Sequence, residues 1–264
     1  MTATPSTTVA NFRDLGGTRV AGGRTVRPGL ALRSGQLDRL DLASDPAVAA
    51  LGLRTVIDFR TAAERADHPD VVPQGARMLV ADVLADKVNS GRMPAAAQLK
   101  DLLADPAVAQ RHLGGGKAQA LFAETYRSFV SSGSGREAYR TLLTELADEG
   151  SGPLLFHCTA GKDRTGWGAT VVLSLLGADD ETLMTEYLSV NPAVRAAFAP
   201  LIEGFTAAGG DPEIALALIG VVPEYLAAAL DEVALRYGSM EKYAREGLGV
   251  PDATIAALRT RLTT

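Results

Sequence analysis

Residues 153–166, PLLFHCTAGKDRTG, join a short apolar run, a loop of small residues and the start of a helical pattern. The apolar run at 154–156 predicts a buried strand, and Gly161 and Gly166 suit a loop that turns sharply. A loop at a helix N-terminus directs several backbone N–H groups and the positive end of the helix dipole at one point. The segment therefore predicts an anion site that fits a phosphate group.

Cys158 is the only cysteine in the chain, so an intramolecular disulfide is excluded. In this loop the same positive field stabilises a thiolate, and we expect Cys158 to attack phosphorus. Arg164, six residues later, has a planar guanidinium that can clamp two phosphoryl oxygens. We expect the hydroxyl of Thr165 to hydrogen-bond the sulfur and help it leave when water hydrolyses a phosphocysteine. His157 is expected to brace the loop beside the sulfur.

Outward from this loop, β-rich apolar runs alternate with helical patterns. Further strands are predicted at 30–32, 55–59 and 78–81, and helices at 45–51, 117–131 and 136–148. After Gly166 the predicted elements are helices, at 167–176, 180–190, 192–207, 223–237, 239–246 and 251–262. We therefore predict an α/β fold, a central and mainly parallel sheet flanked by helices. Residues 1–264 form one domain in this interpretation, and 167–264 are its helical C-terminal part.

Residues 82–116 carry no strand signal. They hold two modest helical patterns, at 95–103 and 106–112, which end at three consecutive glycines, 114–116. We predict a helical lid insertion that can move over the sheet. The alternative is an ordinary pair of crossover helices with a flexible exit.

The composition limits the classes of partner. The chain has 264 residues, 47% of them hydrophobic, and a formal net charge of −5. That charge argues against nucleic acid or an anionic membrane as a partner. No stretch approaches roughly 18 apolar residues, and the polar start at 1–9 lacks the layout of a signal peptide. We expect no membrane insertion and a cytoplasmic protein, or one exported without a recognisable signal. With one cysteine and three scattered histidines we expect no metal and no cofactor.

Residues 157–166 resemble the active-site loop of the Cys-x5-Arg tyrosine phosphatases, in a bacterial branch typified by a mycobacterial enzyme. The motifs NFRDLGG at 11–17, LRSG at 32–35 and VIDFR at 56–60, with Glu64 downstream, are similar to N-terminal motifs of that branch in the same order. The resemblance covers most of residues 11–190. It implies a tyrosine-phosphatase-like fold with a phosphate-binding loop at Cys158 and a helical lid.

The resemblance implies a cysteine-dependent protein tyrosine phosphatase that also accepts phosphoserine, phosphothreonine and phosphoinositides. Its phosphate-binding residues would be Cys158, Thr159, Ala160, Gly161, Lys162, Asp163 and Arg164. In this branch Lys162 and Asp163 occupy positions associated with activity on phosphoinositides. Lys162 also offers a second positive charge at the pocket rim, unless it is a solvated lysine that pairs with Asp163. A phosphoinositide phosphatase and a non-catalytic phosphate-binding protein remain alternatives.

Cleavage of an ester with a poor leaving group needs a proton donor, usually a carboxylic acid with a raised pKa. Three aspartates are candidates: Asp163 in the loop, and Asp82 and Asp86 after the strand at 78–81. We favour Asp163. The alternatives are that Asp163 only partners Lys162 or an arginine of the N-terminal motif, and that Asp82 is a helix cap or turn residue.

The N-terminal motif supplies supporting residues. Asn11, Arg13 and Asp14 are predicted to bridge this segment to the sheet or the loop. Arg60 and Asp58 are predicted to form a charged cluster beside it. Contact of Arg13 or Arg60 with substrate is the alternative, since sequence alone does not give the direction of a side chain.

Overall fold

The sheet at the centre of the fold confirms the predicted architecture. The structure is a computed structural model, and it describes residues 6–89 and 105–264. Its strands are β1 (Arg13–Asp14), β2 (Ala31–Ser34), β3 (Thr55–Asp58), β4 (Arg77–Val80) and β5 (Leu154–His157). They lie in the order β1-β2-β5-β3-β4, with β1 antiparallel to β2 and the other neighbours parallel. The sheet is therefore mixed and mostly parallel.

The central strand β5 carries the loop. Its last residue, His157, is paired with Ser34 of β2 on one side and Asp58 of β3 on the other. The three strands are buried along their whole length, as expected for parallel strands covered on both faces. Their carboxyl ends share one edge of the sheet, which is where parallel α/β sheets place ligands. The loop that starts at Cys158 opens on that edge.

Helices cover both faces of the sheet. Those before β5 are α1 (Pro46–Ala49), α2 (Ala62–Asp67), α3 (Ala85–Asn89), α4 (Pro106–Leu113), α5 (Lys117–Ser131) and α6 (Gly133–Ala147). Those after it are α7 (Asp163–Leu176), α8 (Asp180–Leu188), α9 (Asn191–Ala207), α10 (Pro212–Ile219), α11 (Pro223–Tyr237), α12 (Met240–Lys242) and α13 (Asp252–Leu262). The C-terminal part is helical as predicted. The pattern missed α10, because its sequence PEIALALI is nearly all apolar and has no polar face.

The core has two parts, one on each face of the sheet. The larger part surrounds α7, which is buried almost throughout and has the fully buried Trp167 in its first turns. The smaller part lies on the other face, where Leu32, Val56 and Leu155 of three adjacent strands pack against the N-terminal segment. The loop after β5 is thus held between a rigid sheet and a rigid helix.

Within the described residues, every helix taken singly is too short or too polar to cross a membrane. Only α10 and α11 taken together reach that length and composition, and they meet at a 50° bend.

Candidate active site

Hydrogen bonds from the N-terminal part of the chain hold the loop backbone in place. Three of its carbonyl oxygens accept hydrogen bonds from β2 and the segments around it. These bonds run from Gln36 N–H to Thr159 O (3.1 Å), Asn11 Nδ2 to Ala160 O (2.5 Å) and Arg33 Nη2 to Gly161 O (2.8 Å). The N–H of a trans peptide points away from its C=O, so the N–H groups of the following residues turn to the opposite, inner side of the loop. Such converging N–H groups form an anion-binding nest.

Gly161 is required by this packing. Its φ is +70°, and a Cβ there would lie 2.5 Å from the backbone of Ser34 and Gly35. A side chain at this position would therefore suffer both an unfavourable backbone conformation and a clash with β2. The loop approaches the strand this closely only because residue 161 has no Cβ.

A buried ion-pair cluster holds Arg33, which in turn holds Gly161. Arg33 Nη1 lies 2.9 and 2.8 Å from the two Glu186 carboxylate oxygens, and Arg13 Nε lies 3.0 Å from Oε1. Burial, together with the neighbouring charge of Arg33, lowers the pKa of Arg13 to about 10. Burial opposes ionisation of Glu186, but the two arginines outweigh it and lower its pKa. Sequence reasoning did not identify Glu186. Arg13 thus lies in a supporting position.

Asp14 acts farther from the loop. Its two carboxylate oxygens accept hydrogen bonds from the N–H groups of Gly16 and Gly29, at 2.8 and 2.6 Å. It therefore holds the turn that leads from β1 towards β2. This contact bridges the N-terminal segment to the sheet and not to the loop.

Cys158 lies in a small cavity of about 110 Å³ and is only 2% exposed. The cavity brings together six of the seven predicted phosphate-binding residues with apolar side chains from α5, α9 and α10. Its lining consists of Phe122, Cys158, Thr159, Ala160, Lys162, Asp163, Arg164, Val194, Phe198, Leu218 and Ile219. A polar nest therefore faces largely apolar walls.

Arg164 is held in one orientation by Glu64. Its Nη1 donates to Glu64 Oε2 and its Nη2 to Oε1, both at 2.7 Å, and Nη2 also lies 3.4 Å from Thr159 Oγ1. In the described structure the hydrogen bonds of Arg164 use these two terminal nitrogens and not Nε. The edge of the guanidinium formed by Nε and Nη2 can therefore face a phosphoryl group while Glu64 stays hydrogen-bonded to Nη1 and Nη2.

The capping of α2 fixes Glu64. Its Oε2 accepts hydrogen bonds from the backbone N–H and the hydroxyl of Thr61, in a capping box, and its Oε1 accepts one from Thr159 Oγ1 at 2.5 Å. Burial opposes ionisation of Glu64, but the charge and hydrogen bonds of Arg164 hold its pKa far below the ordinary value. Burial likewise disfavours the charged form of Arg164, and Glu64 raises its pKa strongly in compensation. Sequence reasoning assigned Glu64 no role in the site.

Thr165 does not make the expected hydrogen bond to the sulfur. Its hydroxyl is fully buried and has no hydrogen-bond partner among the described residues. The helix α7 begins at Asp163, so Thr165 already lies in the helix, and the helical backbone sets the direction of its side chain.

Lys162 is placed differently from the exposed charge that we expected at the rim. Its side chain is 8% exposed, and Nζ donates to the carbonyl oxygens of Leu218 (2.6 Å) and Gly220 (3.0 Å) at the C-terminal end of α10. A helix C-terminus attracts a cation. Nζ also lies 3.5 Å from Asp163 Oδ2 and 5.1 Å from the centre of the Phe122 ring. The ammonium is thus bound by protein groups and not solvated.

Asp163 is the first residue of α7 and faces a chain of buried hydroxyls. Its Oδ1 accepts a hydrogen bond from Tyr126 at 3.0 Å, and the Tyr126 hydroxyl accepts one from Tyr187 at 2.8 Å. Burial, followed by the negative charge of Asp163, raises the pKa of both tyrosines well above the ordinary value. The hydroxyls therefore stay protonated and act as donors. Asp163 therefore accepts a hydrogen bond from Tyr126, and its other oxygen lies 3.5 Å from the Lys162 ammonium.

The other two acid candidates lie after β4. Asp82 is half-buried, and burial raises its pKa above the ordinary value in spite of a hydrogen bond from Leu84 N–H and the charge of Arg164. Asp86 is exposed and exchanges hydrogen bonds with Ser134 at the start of α6. Asp82 therefore has the electrostatic surroundings of an acid, whereas Asp86 caps a helix.

Beneath the loop, Arg60 is fully buried and cannot meet substrate. Its guanidinium is hydrogen-bonded to the carboxylates of Asp58 and Asp70, and His157 lies beside them. Donor atoms of Asp58, Asp70 and His157 lie within 4.8 Å of one another, the single such metal-ligand group in the described part of the chain. The Arg60 guanidinium already supplies a positive charge there.

Among the described residues, those that cover the cavity belong to α9 and α10. Val194 and Phe198 of α9 and Leu218 and Ile219 of α10 close it. Positions 90–104 of the predicted lid lie outside the described residues. The described flanks, α3 and α4, contribute nothing to the lining, and α4 packs against α5 and α10.

Known proteins are similar to this chain, two of them over 94% of its length. The sequence profile described as "Tyrosine phosphatase family" matches residues 4–264. The chain is 32% identical to the "Triple specificity protein phosphatase PtpB" of Mycobacterium tuberculosis, over 94% of this chain and 95% of that protein. A relative from Cupriavidus necator is 31% identical, over 94% of this chain and 85% of its own length. The "Tyrosine-protein phosphatase" of Nostoc commune is 29% identical, over 59% of this chain and 46% of that protein. The chain therefore belongs to the tyrosine phosphatase family.

Proposed function

We propose that this tyrosine phosphatase hydrolyses phosphoproteins, phosphotyrosine above all, through a phosphocysteine formed on Cys158. One observation carries the proposal: Cys158 and Arg164 line the same cavity. The carbonyl oxygens of the loop between them accept hydrogen bonds from residues outside the cavity. The N–H groups of the loop and Arg164 supply the positive surroundings that stabilise both a thiolate and a phosphoryl group. The chemistry needs no further group than these and a proton donor.

The cavity walls favour an aromatic phosphate ester. Phe122, Phe198 and Ile219 are among the apolar side chains that face the loop. A phenyl ring buries apolar surface against such walls, whereas an inositol ring presents hydroxyls that would lose their water there. Phosphotyrosine therefore gains binding energy that phosphoserine and an inositol phosphate lack.

We assign the proton donor to Asp82 and keep Asp163 as the alternative. In the first step Cys158 Sγ attacks phosphorus, the bond from phosphorus to the ester oxygen breaks, and that oxygen takes the proton of Asp82. In the second step a water attacks phosphorus and gives a proton to the Asp82 carboxylate. The P–S bond breaks, and the products are inorganic phosphate and the thiolate. Burial raises the pKa of Asp82, which suits an acid, and Asp82 lies near enough to Arg164 to feel its charge. Asp163 is the alternative because it lines the cavity beside Cys158.

A broader substrate range is the second candidate. The M. tuberculosis relative is named a triple specificity phosphatase, and we extend this to phosphoserine, phosphothreonine and phosphoinositides as slower substrates of this chain. A phosphoinositide phosphatase would use Lys162 for a second ring phosphate. Its Nζ would first have to leave the carbonyls of Leu218 and Gly220.

A substrate panel tests the proposal. We would measure kcat/KM for a phosphotyrosyl peptide, the same peptide with phosphoserine, and short-chain phosphoinositides. We expect kcat/KM for the phosphotyrosyl peptide to exceed the other values by about 10-fold or more, because part of an aromatic ring is buried when this peptide binds. Phe198→Ala should lower kcat/KM for the aryl substrate and leave the phosphoserine value nearly constant. Faster turnover of a phosphoinositide than of the phosphotyrosyl peptide would replace this proposal by the second candidate.

A further inference from the structure

A second, larger cavity opens beside the loop, and the proposed reaction does not use it. Its volume is about 610 Å³, against about 110 Å³ for the cavity that holds Cys158. Both cavities are lined by Thr159 and Ala160 of the loop and by Val194 and Phe198 of α9. We call the larger cavity the α9 groove. A ligand bound in the loop can continue into this groove without a break.

The two volumes indicate which part of a substrate each cavity holds. Sites that enclose a whole small ligand measure roughly 300–1,000 Å³. The cavity of Cys158 is smaller than that range, so it takes a phosphoryl group and part of the group that carries it. The α9 groove falls within the range. The remainder of a phosphoprotein substrate has to leave the small cavity, and the α9 groove adjoins that cavity directly.

The α9 groove has one polar wall and one apolar wall. The polar wall contains the serine and two threonines at positions 6–8, and the apolar wall contains Ala193, Val194, Ala197 and Phe198 of α9. A polypeptide carries backbone donors and acceptors as well as side chains, so it can use both walls at once. A small inorganic ion or a wholly apolar ligand would use only one of them.

A buried carboxylate holds the polar wall in place. Asp45 is 1% exposed, and it caps α1 by accepting a hydrogen bond from Val48 N–H. Its Oδ2 also accepts hydrogen bonds from Thr7 N–H at 3.0 Å, from the N–H and hydroxyl of Thr8 at 3.2 and 3.0 Å, and from the hydroxyl of Ser6. The wall is thus ordered before a ligand binds, which reduces the entropy that binding costs.

The α9 groove also offers a cation that is free to bind a ligand. The ionisable side chains that line the groove are Asp38, Arg39 and His68. Asp38 Oδ2 lies 3.4 Å from His68 Nδ1. Arg39 is exposed, and its side chain forms no hydrogen bond or ion pair within residues 6–89 and 105–264. A carboxylate on a ligand can therefore bind the Arg39 guanidinium.

We propose that the α9 groove binds the polypeptide that flanks the phosphotyrosine of a substrate, and that Arg39 pairs with an acidic residue of that polypeptide. The inference rests on the proposed function, because it takes phosphotyrosine as the group that Cys158 attacks. The preferred substrate is then a phosphotyrosyl peptide with an acidic neighbour and not an isolated aryl phosphate. Arg39 determines specificity and does not touch the reacting atoms.

Ala197→Trp tests the groove by filling it. Ala197 lines the α9 groove but not the cavity of Cys158, and it is exposed, so a larger side chain leaves the core intact. We would measure kcat and KM for nitrophenyl phosphate, which carries no polypeptide, and for a phosphotyrosyl peptide. The peptide kcat/KM should fall about 10-fold or more, mainly through KM, while the nitrophenyl phosphate value stays within about 2-fold. An equal fall with both substrates, or an unchanged peptide value, would overturn the proposal.

Ala196→Trp is the matched control. Ala196 is the neighbouring exposed residue of α9, and it lines neither cavity. Both substrates should keep nearly their wild-type kcat/KM. A loss of peptide turnover equal to that in Ala197→Trp would assign the effect to α9 as a whole and would contradict the proposal. A changed molecular mass of Ala197→Trp in solution, with unchanged peptide turnover, would assign the groove to a second copy of the chain instead.

A peptide series tests the charge. A single glutamate is placed in turn at each position near the phosphotyrosine of an otherwise neutral peptide. Glutamate at one position should raise the wild-type kcat/KM about 2–5-fold, as for an exposed ion pair, and Arg39→Gln should remove that rise. A series in which no position responds, or a rise that persists in Arg39→Gln, would overturn the role of Arg39.

A comparison on the wild type needs no variant. kcat/KM should be higher for a phosphotyrosyl peptide that extends to one side of the residue than for phosphotyrosine alone. Equal values for phosphotyrosine and for peptides extended to either side would overturn the proposal. Failure of the proposed function would show separately, as turnover of nitrophenyl phosphate that survives Cys158→Ser.

Discussion

Exchange of Glu64 for glutamine tests the ion pair that orients Arg164. Glu64→Gln keeps the size and one acceptor oxygen but removes the charge held at 2.7 Å from both terminal nitrogens. The two side chains are 18% and 6% exposed. Loss of one partner from a buried pair costs roughly 3–5 kcal/mol. Glutamine keeps part of the hydrogen bonding, so we expect the free energy of unfolding at pH 7 to fall by about 2–3 kcal/mol.

The loss should depend on pH with a definite sign. Burial opposes ionisation of Glu64, but Arg164 holds its pKa far below the ordinary 4.5. A carboxylate with a lowered folded pKa contributes stability above its unfolded pKa and loses it as the pH falls towards the folded one. The wild type therefore loses this contribution on acidification and the variant does not. The stability gap between them should narrow by about 0.8 kcal/mol from pH 7 to pH 4.

Urea unfolding at the two pH values, with aryl phosphate kinetics at pH 7, measures both effects. We expect kcat/KM to fall about 10–100-fold, because the guanidinium loses its fixed orientation. Glu137→Gln is the control, since Glu137 forms an exposed pair with Arg140 that contributes little. A variant with wild-type stability and kcat/KM, or a stability gap that widens on acidification, would refute the reasoning.

Three further substitutions probe other parts of the site. Asp82→Asn should lower kcat for an alkyl phosphate about 10²–10⁴-fold. It should also abolish the decline of kcat at alkaline pH, because that decline reports loss of the Asp82 proton. A decline that persists in the variant would move the role of proton donor to Asp163. Gly161→Ala should abolish vanadate binding in a titration, because its Cβ would clash with β2, whereas Gly238→Ala, also at positive φ but with open space, should bind normally. Lys162→Met leaves the carbonyl oxygens of Leu218 and Gly220, at the C-terminal end of α10, without their donor. Hydrogen exchange of α10 should accelerate by about 5–10-fold, as for a loss of roughly 1–1.4 kcal/mol; unchanged exchange would contradict the contact.

The elements around the loop could be predicted because their signals are local. The apolar run before Cys158 and the small residues after it fix a strand, a turn and a helix within one short stretch. The strand β1 gave no signal because two residues are too few to show an alternation. The helix α10 gave none because it is apolar on all sides.

The supporting roles of Glu64 and Glu186 could not be predicted because their partners are far away in the chain. Glu64 binds Arg164 across 100 residues, and Glu186 binds Arg33 across 153. No local pattern reports such contacts. The direction of a side chain is likewise not given by the sequence, as Lys162 shows. Its position indicated a positive charge near the loop, but the packing of α10 decides where the ammonium lies.

The phosphocysteine itself tests the account most directly. The enzyme is mixed with a phosphotyrosyl peptide, quenched in acid on the millisecond timescale and digested, and the fragment that contains residue 158 is examined by mass spectrometry. The account predicts a phosphoryl group on Cys158 that forms and decays with turnover, and no turnover in Cys158→Ser. A phosphoryl-free Cys158 throughout turnover, together with activity retained in Cys158→Ser, would contradict it.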